Sequence, residues 1–220
     1  MSRRDATEAL AVPDVAELRP AQRRRRAEVL RVAAELFSEQ GYAATSTTEI
    51  AERLGIKGGS VYYYIDSKEE LLFELVQDIY GLLLESLREV LASDADALTK
   101  LRRLIETHIS GMAGHRVRGA LILNETRSLS PEHQAITAGH EATYEEGLAS
   151  VIADGQRAGQ IDPGLDAKLV TKALLGAGNW VNRWYREDGA WSPDDVSRDF
   201  AQIFLTGLER KTEGNGRRRR

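Results

Sequence analysis

Apolar residues recur every three or four positions along most of the chain, and no stretch alternates polar with apolar long enough to make a strand. Val29, Val32, Ala33, Leu36 and Phe37 form the first such stripe. It stops at Gly41, a residue suited to the left-handed backbone that ends a helix. Ser46-Thr47-Thr48-Glu49 then places a hydroxyl at an N-cap and a carboxylate three residues on, opening a short helix over 47–54 with Ile50, Ala51 and Leu54 on one face. Gly55-Ile56 breaks it, and a second short helix is predicted from Lys57 to Tyr63. Ser67 caps a longer one, with Glu69 and Glu70 in the first turn where the helix dipole favours them. Helices are predicted over 68–92, 95–112, 116–128, 131–158, 166–186 and 193–210. The breaks between them fall at Ser93-Asp94, Gly114, Ser130-Pro131, Gly159 to Gly164, and Gly189 to Pro193. The fold class is all-α.

Charge divides this helical chain. Residues 20–68 carry a net +2, residues 69–213 a net −9, and Arg217 to Arg220 add +4. Such a balance excludes a protein coated in nucleic acid, yet leaves room for one small module that touches it. The predicted organisation is a flexible arm over 1–20, a helix-turn-helix domain over 21–67, a helical domain over 68–211 and a disordered basic tail over 212–220. The chain has no cysteine, which removes disulfides and cysteine-ligated metal centres. No apolar run approaches the roughly 20 residues needed to span a bilayer. The N-terminus lacks the hydrophobic run of a signal peptide. These features predict a cytoplasmic protein with no membrane partner.

Candidate chemistry concentrates in GIKGGSVYYYIDSKEEL, residues 55–71. Only 6% of the residues are aromatic, yet Tyr62, Tyr63 and Tyr64 stand side by side. No single helix face can bury three neighbours, so at least one phenol must face outward. Two short helices joined by a glycine turn, on a preceding amphipathic helix, make a helix-turn-helix. Val61 and Ile65 supply the buried side of the second helix. Gly58, Gly59 and Ser60 let its backbone approach a base edge or phosphate closely. Tyr62 and Tyr64 point elsewhere, able to hydrogen-bond phosphate oxygens beside a major groove. Lys68, with the free N–H groups of the next helix, adds a phosphate site. Arg23 to Arg26 read equally as a basic arm reaching DNA or as a solvated charge run at a helix start.

The run TSTTEIAERLGIKGGSVYYYIDSKEELL resembles the DNA-binding signature of TetR/AcrR-type transcriptional repressors, as does RAEVLRVAAELFSEQGYAAT before it. The resemblance spans residues 22–75. It implies that Thr47, Tyr62, Tyr64 and Lys68 hold phosphates, and that Thr48, Lys57, Gly58, Gly59, Ser60 and Tyr63 face the groove. Gly58 and Gly59 depart from the larger side chains of some members. For Tyr63, packing against the first helix is the competing reading. The resemblance further implies a homodimer on a palindromic operator, released by a small-molecule effector, with no cofactor. The long helix from Ser67 to about Leu91 would link DNA and effector.

The last two helices carry GAGNWVNRWYREDGAWSPDDV, where Trp180 and Trp184 share a helical face and Gly176, Ala177 and Gly178 permit close helix contact. Helices 166–186 and 193–210 are therefore the predicted dimer interface, a four-helix bundle with the partner's pair. The same region resembles members of the family that control fatty-acid and steroid breakdown and respond to acyl-CoA thioesters. Under that resemblance Arg183 and Arg186 would meet CoA phosphates, while Asn124, Arg127, Tyr144, Asn179, Trp180 and Trp184 would line the cavity or its entrance. The competing readings are an interface anchor for the tryptophans and a glutamate partner for Arg127. Two other functions remain in view, a response to a different hydrophobic ligand and a dimeric helical adaptor that does not bind DNA. The four histidines His108, His115, His133 and His140 show no catalytic-metal spacing, and no nucleophile elbow or phosphate loop occurs, so no enzyme is expected.

Overall fold

The computed structural model describes residues 19–114 and 116–209. The predicted arm lies outside them apart from Arg19 and Pro20, and so do the tail over 212–220 and His115. The elements are α1 (Pro20–Gln40), α2 (Thr47–Arg53), a 3₁₀ helix (Gly58–Tyr63), α3 (Lys68–Ala92), α4 (Ala97–Gly114), α5 (Arg116–Glu125), a 3₁₀ turn (Thr126–Ser128), α6 (Pro131–Arg157), α7 (Ala167–Trp184) and α8 (Pro193–Leu208). Among the described residues the extended pairing is a single bridge, Ile161 with Glu209.

Local signals place the helix ends. Gly41 leaves α1 with φ +86°, and its N–H closes the helix on the Phe37 carbonyl. Ser46 and Glu49 form the predicted capping box on α2: Glu49 N–H donates to Ser46 Oγ at 3.2 Å and Ser46 N–H to Glu49 Oε2 at 2.7 Å. Ser67 Oγ accepts from Glu70 N–H at 3.0 Å at the start of α3. Ser192 caps α8 beside Pro193, which needs no N–H partner in the first turn. The second short helix is 3₁₀ in character rather than α, spanning the residues where it was predicted.

Among the described residues two compact units result, residues 19–79 with 117–138 and residues 80–114 and 116 with 139–209. In the first, Val29, Val32, Ala33, Leu36 and Phe37 of α1 are buried as the periodicity predicts, with Ile50, Ala51, Val61, Ile65, Leu71, Leu72, Leu75 and Val76. Helix α2 packs on α1 and on the 3₁₀ helix. In the second, α4 packs on α7 and α8. Leu101, Leu104, Ile105, Ile109, Leu148, Ile152, Leu174 and Val181 are fully withdrawn from solvent there. Burial of each such side chain contributes about 1.5–3 kcal/mol.

Two helical glycines separate packing from propensity. A methyl at Gly147 would stand 2.4 Å from Leu87 Cδ2, whereas Gly81 has nothing within 4 Å of the same position. Gly81→Ala should therefore stabilise by about 0.5–1 kcal/mol through helix propensity. Gly147→Ala should be net destabilising, because overpacking costs about 1–3 kcal/mol against that same gain. Urea melts of the two variants give opposite signs.

Candidate functional site

The predicted recognition residues meet on one module. Thr47 Oγ1, at the first turn of α2, lies 3.1 Å from Tyr62 OH on the 3₁₀ helix, so two predicted phosphate contacts converge on a single hydrogen bond. Val61 and Ile65 are buried on the opposite side, which fixes the outward face of the intervening residues. Tyr63 is 72% exposed and Tyr62 44%, so Tyr63 does not pack against α1. Tyr64 is half-buried. Thr48 Oγ1 lies 4.0 Å from where a Gly58 Cβ would stand, and Gly59 has open space around it. Gly41, Gly55 and Gly159 are the described residues with positive φ, so neither Gly58 nor Gly59 is demanded by backbone conformation or crowding. Glycine inside a helix costs about 0.5–1 kcal/mol relative to alanine, which makes a half-buried Gly58 and an exposed Gly59 that the fold does not need a mark of close approach by something else.

Lys68 does more than the sequence indicates. Its ammonium donates to the Tyr42 carbonyl at 2.9 Å and the Thr45 carbonyl at 2.8 Å, and sits 4.2 Å from the Tyr42 ring centroid. It thereby ties the α1–α2 loop to the start of α3. Two of the four arginines at the head of α1 follow neither predicted course. Arg25 donates to the Leu54 carbonyl at 3.0 Å and pairs with Glu28, while Arg26 is mostly buried against Glu74. Arg24 is exposed.

A second convergence joins α3 to α6 within the same unit. Glu69 accepts from Ser130 N–H at 2.8 Å and lies 2.9 Å from His133 Nδ1, while Glu70 lies 4.0 Å from Nε2 and Phe73 stacks on the imidazole at 3.7 Å. Burial pushes the Glu69 carboxyl up, but Ser130 and His133 outweigh it and hold it below its ordinary value. Three ligand atoms of Glu69, Glu70 and His133 lie within 4.8 Å of one another, a spacing a divalent cation fits. Their 64-residue separation hid this cluster from sequence reading.

The eight predicted effector residues divide between the two units. Asn124 and Arg127 are exposed in the first unit, and Asn124 donates to the Ala120 carbonyl at 2.9 Å. Within the second unit, Tyr144 is buried and Asn179 half-buried, both near His108. Trp180 is 62% exposed, and Arg183 also faces solvent. Trp184 gathers Tyr185, Trp191 and Phe200 into an aromatic cluster with centroids 6.4–6.5 Å away. Arg186 is engaged by Asp188 through Nε and an Nη, each at 3.0 Å.

His108 is the residue that sequence reading treated only as a poor metal ligand. It continues the buried stripe of Leu101, Leu104, Ile105 and Met112 on α4, where an apolar side chain would suffice. Neither ring nitrogen has a hydrogen-bond partner among the described residues. Asn179 is near enough to favour the charged form without reaching hydrogen-bond geometry. Tyr144 lies alongside, ring centroids 6.0 Å apart at 24°. Leaving such a group unpaired costs about 1–3 kcal/mol. Gly178 makes room for the ring, since a methyl there would stand 2.5 Å from Cδ2 and 2.8 Å from Nε2.

Two family models match this chain. Residues 29–75 match the N-terminal model described as bacterial regulatory proteins, tetR family, and residues 94–208 match the tetracyclin repressor-like C-terminal domain. The chain belongs to the TetR family. The repressor KstR2 of Rhodococcus jostii is 30% identical over 185 residues, covering 84% of this chain and 91% of that one. The structure of the ketosteroid transcriptional regulator KstR2 of Mycobacterium tuberculosis superposes with TM-score 0.81 at 28% identity, covering 85% of this chain and 96% of that one. AibR, in complex with isovaleryl coenzyme A and operator DNA, superposes with TM-score 0.73 at 26% identity, covering 84% and 98%. The helix-turn-helix built by α2 and the 3₁₀ helix thus falls inside the matched regulator domain. Among the described residues no helix is long and apolar enough to cross a membrane.

The imidazole generates a pH prediction. Burial pushes the His108 pKa down from 6.5 to about 4, with Asn179 opposing. The native state therefore binds fewer protons than the unfolded chain, and stability present above pH 6.5 is lost as pH falls toward 4. His108→Leu should remove about 2–3 kcal/mol of that loss, measured as the difference in urea-melt stability between pH 7 and pH 4.5 for variant and wild type.

Proposed function

We propose that this protein is a homodimeric, cytoplasmic transcriptional repressor that holds a palindromic operator through residues 47–68 and leaves it on binding an acyl-CoA thioester. The Thr47–Tyr62 pair beside an exposed Tyr63 and an uncrowded Gly58-Gly59 carries the DNA half of this reading. In it Thr47, Tyr62, Tyr64 and Lys68 position the phosphates, and Thr48, Lys57, Gly58, Gly59, Ser60 and Tyr63 face the groove. Lys68 contributes charge while its hydrogen bonds hold the loop.

The exposed face of α7 and α8 supports the dimer. Leu169, Ala173, Gly176, Trp180 and Trp184 of α7 are exposed, as is Ile203 of α8. An apolar stripe with small residues at its centre suits a second copy packed by two-fold symmetry. Trp180 and Trp184 serve that face. The likeness to KstR2 and to AibR with its isovaleryl coenzyme A supports the effector class. The residues for the effector are then Tyr144 and Asn179 inside and Arg183 outside. Release follows if the effector binds better to a form whose recognition helices are wrongly spaced.

Gel shifts on an operator selected from random DNA test the first half. Tyr62→Phe and Thr47→Val should weaken specific and nonspecific binding alike, by about 3–10-fold each, as loss of one phosphate hydrogen bond implies. Gly59→Ala should leave the melting temperature unchanged or raised while lowering operator affinity. Unchanged DNA binding in all three would favour the adaptor. For the second half, medium- to long-chain acyl-CoAs should release the operator at concentrations where the matching free acids do not. Equal release by both would assign a different hydrophobic effector.

A further inference from the structure

The effector reading leaves unexplained why the interior of the second unit holds a histidine. We propose that His108 is the polar contact of an interior ligand site that takes an uncharged oxygen, a keto or hydroxyl group, borne on an otherwise apolar acyl body. This inference rests on the acyl-CoA reading and narrows it.

Three polar side chains from three helices come close together: His108 on α4, Tyr144 on α6 and Asn179 on α7. Leucine at 108 would continue the stripe of α4 and leave no polar group to satisfy. The fold instead keeps an imidazole and places Gly178 opposite it, where any side chain would strike the ring. Both nitrogens are withdrawn from solvent and lack a partner among the described residues. Buried polar groups in folded proteins are nearly always paired, so two such nitrogens on one ring mark a place where a further molecule completes the hydrogen bonding.

The ring also selects what it completes. A neutral imidazole offers one N–H and one lone pair. A carbonyl oxygen takes the first and a hydroxyl takes either. A carboxylate or phosphate brought here would bury a charge with no cation from this ring to balance it. The anionic portion of a CoA thioester therefore stays outside and the oxygenated part of its acyl group reaches His108. In the closed packing the three helices meet around the ring, so a ligand at His108 holds them in a wider arrangement. That gives the differential affinity which operator release requires.

Isothermal titration calorimetry with a panel of medium-chain acyl-CoAs tests this, the members differing only in a hydroxyl or keto group along the acyl chain. Wild type should bind at least one oxygenated member about tenfold more tightly than the plain one, about 1.4 kcal/mol. His108→Leu should bind the plain member as before and lose the preference, and His108→Asn should retain part of it. The same member should move the ¹⁵N signals of the His108 ring in wild-type protein, which keeps the test decisive if a variant folds poorly. Equal binding across the panel by wild type and His108→Leu overturns the assignment and leaves the acyl-CoA reading standing. Unmoved ¹⁵N signals at saturation overturn it as well, giving the ring to the fold or to a buried water. Binding of no member overturns both readings.

Discussion

The ammonium of Lys68 holds two backbone carbonyls that belong to the loop before α2, and it does so from the first residue of α3. A cation at a helix N-terminus faces an unfavourable dipole, which Glu69 and Glu70 in the same turn offset. Hydrogen bonds to a charged donor contribute about 1.5–3 kcal/mol each, more than the dipole takes away. Thr47 follows directly from the pinned loop, and Tyr42 both lends its ring to the ammonium and meets Phe37 edge-on at 5.1 Å. That tie adds to the packing of α2 on α1 and on the 3₁₀ helix in setting where Thr47 meets Tyr62.

The second unit follows most of the ordinary rules of a helical core, but leaves both His108 ring nitrogens and Nδ1 of His140 buried without a partner among the described residues. Stripes on α4, α7 and α8 interlock, caps close the helix ends, and the surface pairs Lys172 with Glu145 and Arg198 with Asp195. His108 departs furthest, since both of its nitrogens are unpaired and the whole ring is buried, and such departures are commonest where a protein functions. The same logic applies to Gly58 and Gly59, which no steric demand requires. In both places the side chain chosen is worse for the fold than a common alternative.

Helix positions were legible because their signals are local. Gly41, Ser46 with Glu49, Ser67, Ser130-Pro131 and Ser192-Pro193 each act over three or four residues, and α3 runs over Lys68–Ala92 as predicted. The 3₁₀ winding of Gly58–Tyr63 was not legible, since one turn tightened between two glycines and a buried Val61 depends on packing. Side-chain partners were legible only where they were close in sequence. Arg26 meets Glu74 across 48 residues and His133 meets Glu69 across 64, and no periodicity announces either. Arg186 pairs with Asp188 two residues on, a contact set by the turn after α7 rather than by any periodicity. His108 entered the sequence reading only as one of four histidines without metal spacing; its burial against α7 and its unpaired nitrogens depend on packing between helices.

All three tryptophans of the chain, Trp180, Trp184 and Trp191, fall within twelve residues at the end of α7 and the loop after it. None lies in the recognition module, and Trp180 and Trp191 are each 62% exposed. The indole emission of the whole molecule is therefore the emission of one surface. Association at that surface would withdraw the rings from water and shift their emission to the blue, whereas motion confined to the tyrosine-bearing module would leave it still. The protein carries its own optical probe, placed on the exposed aromatic end of α7 and the loop after it.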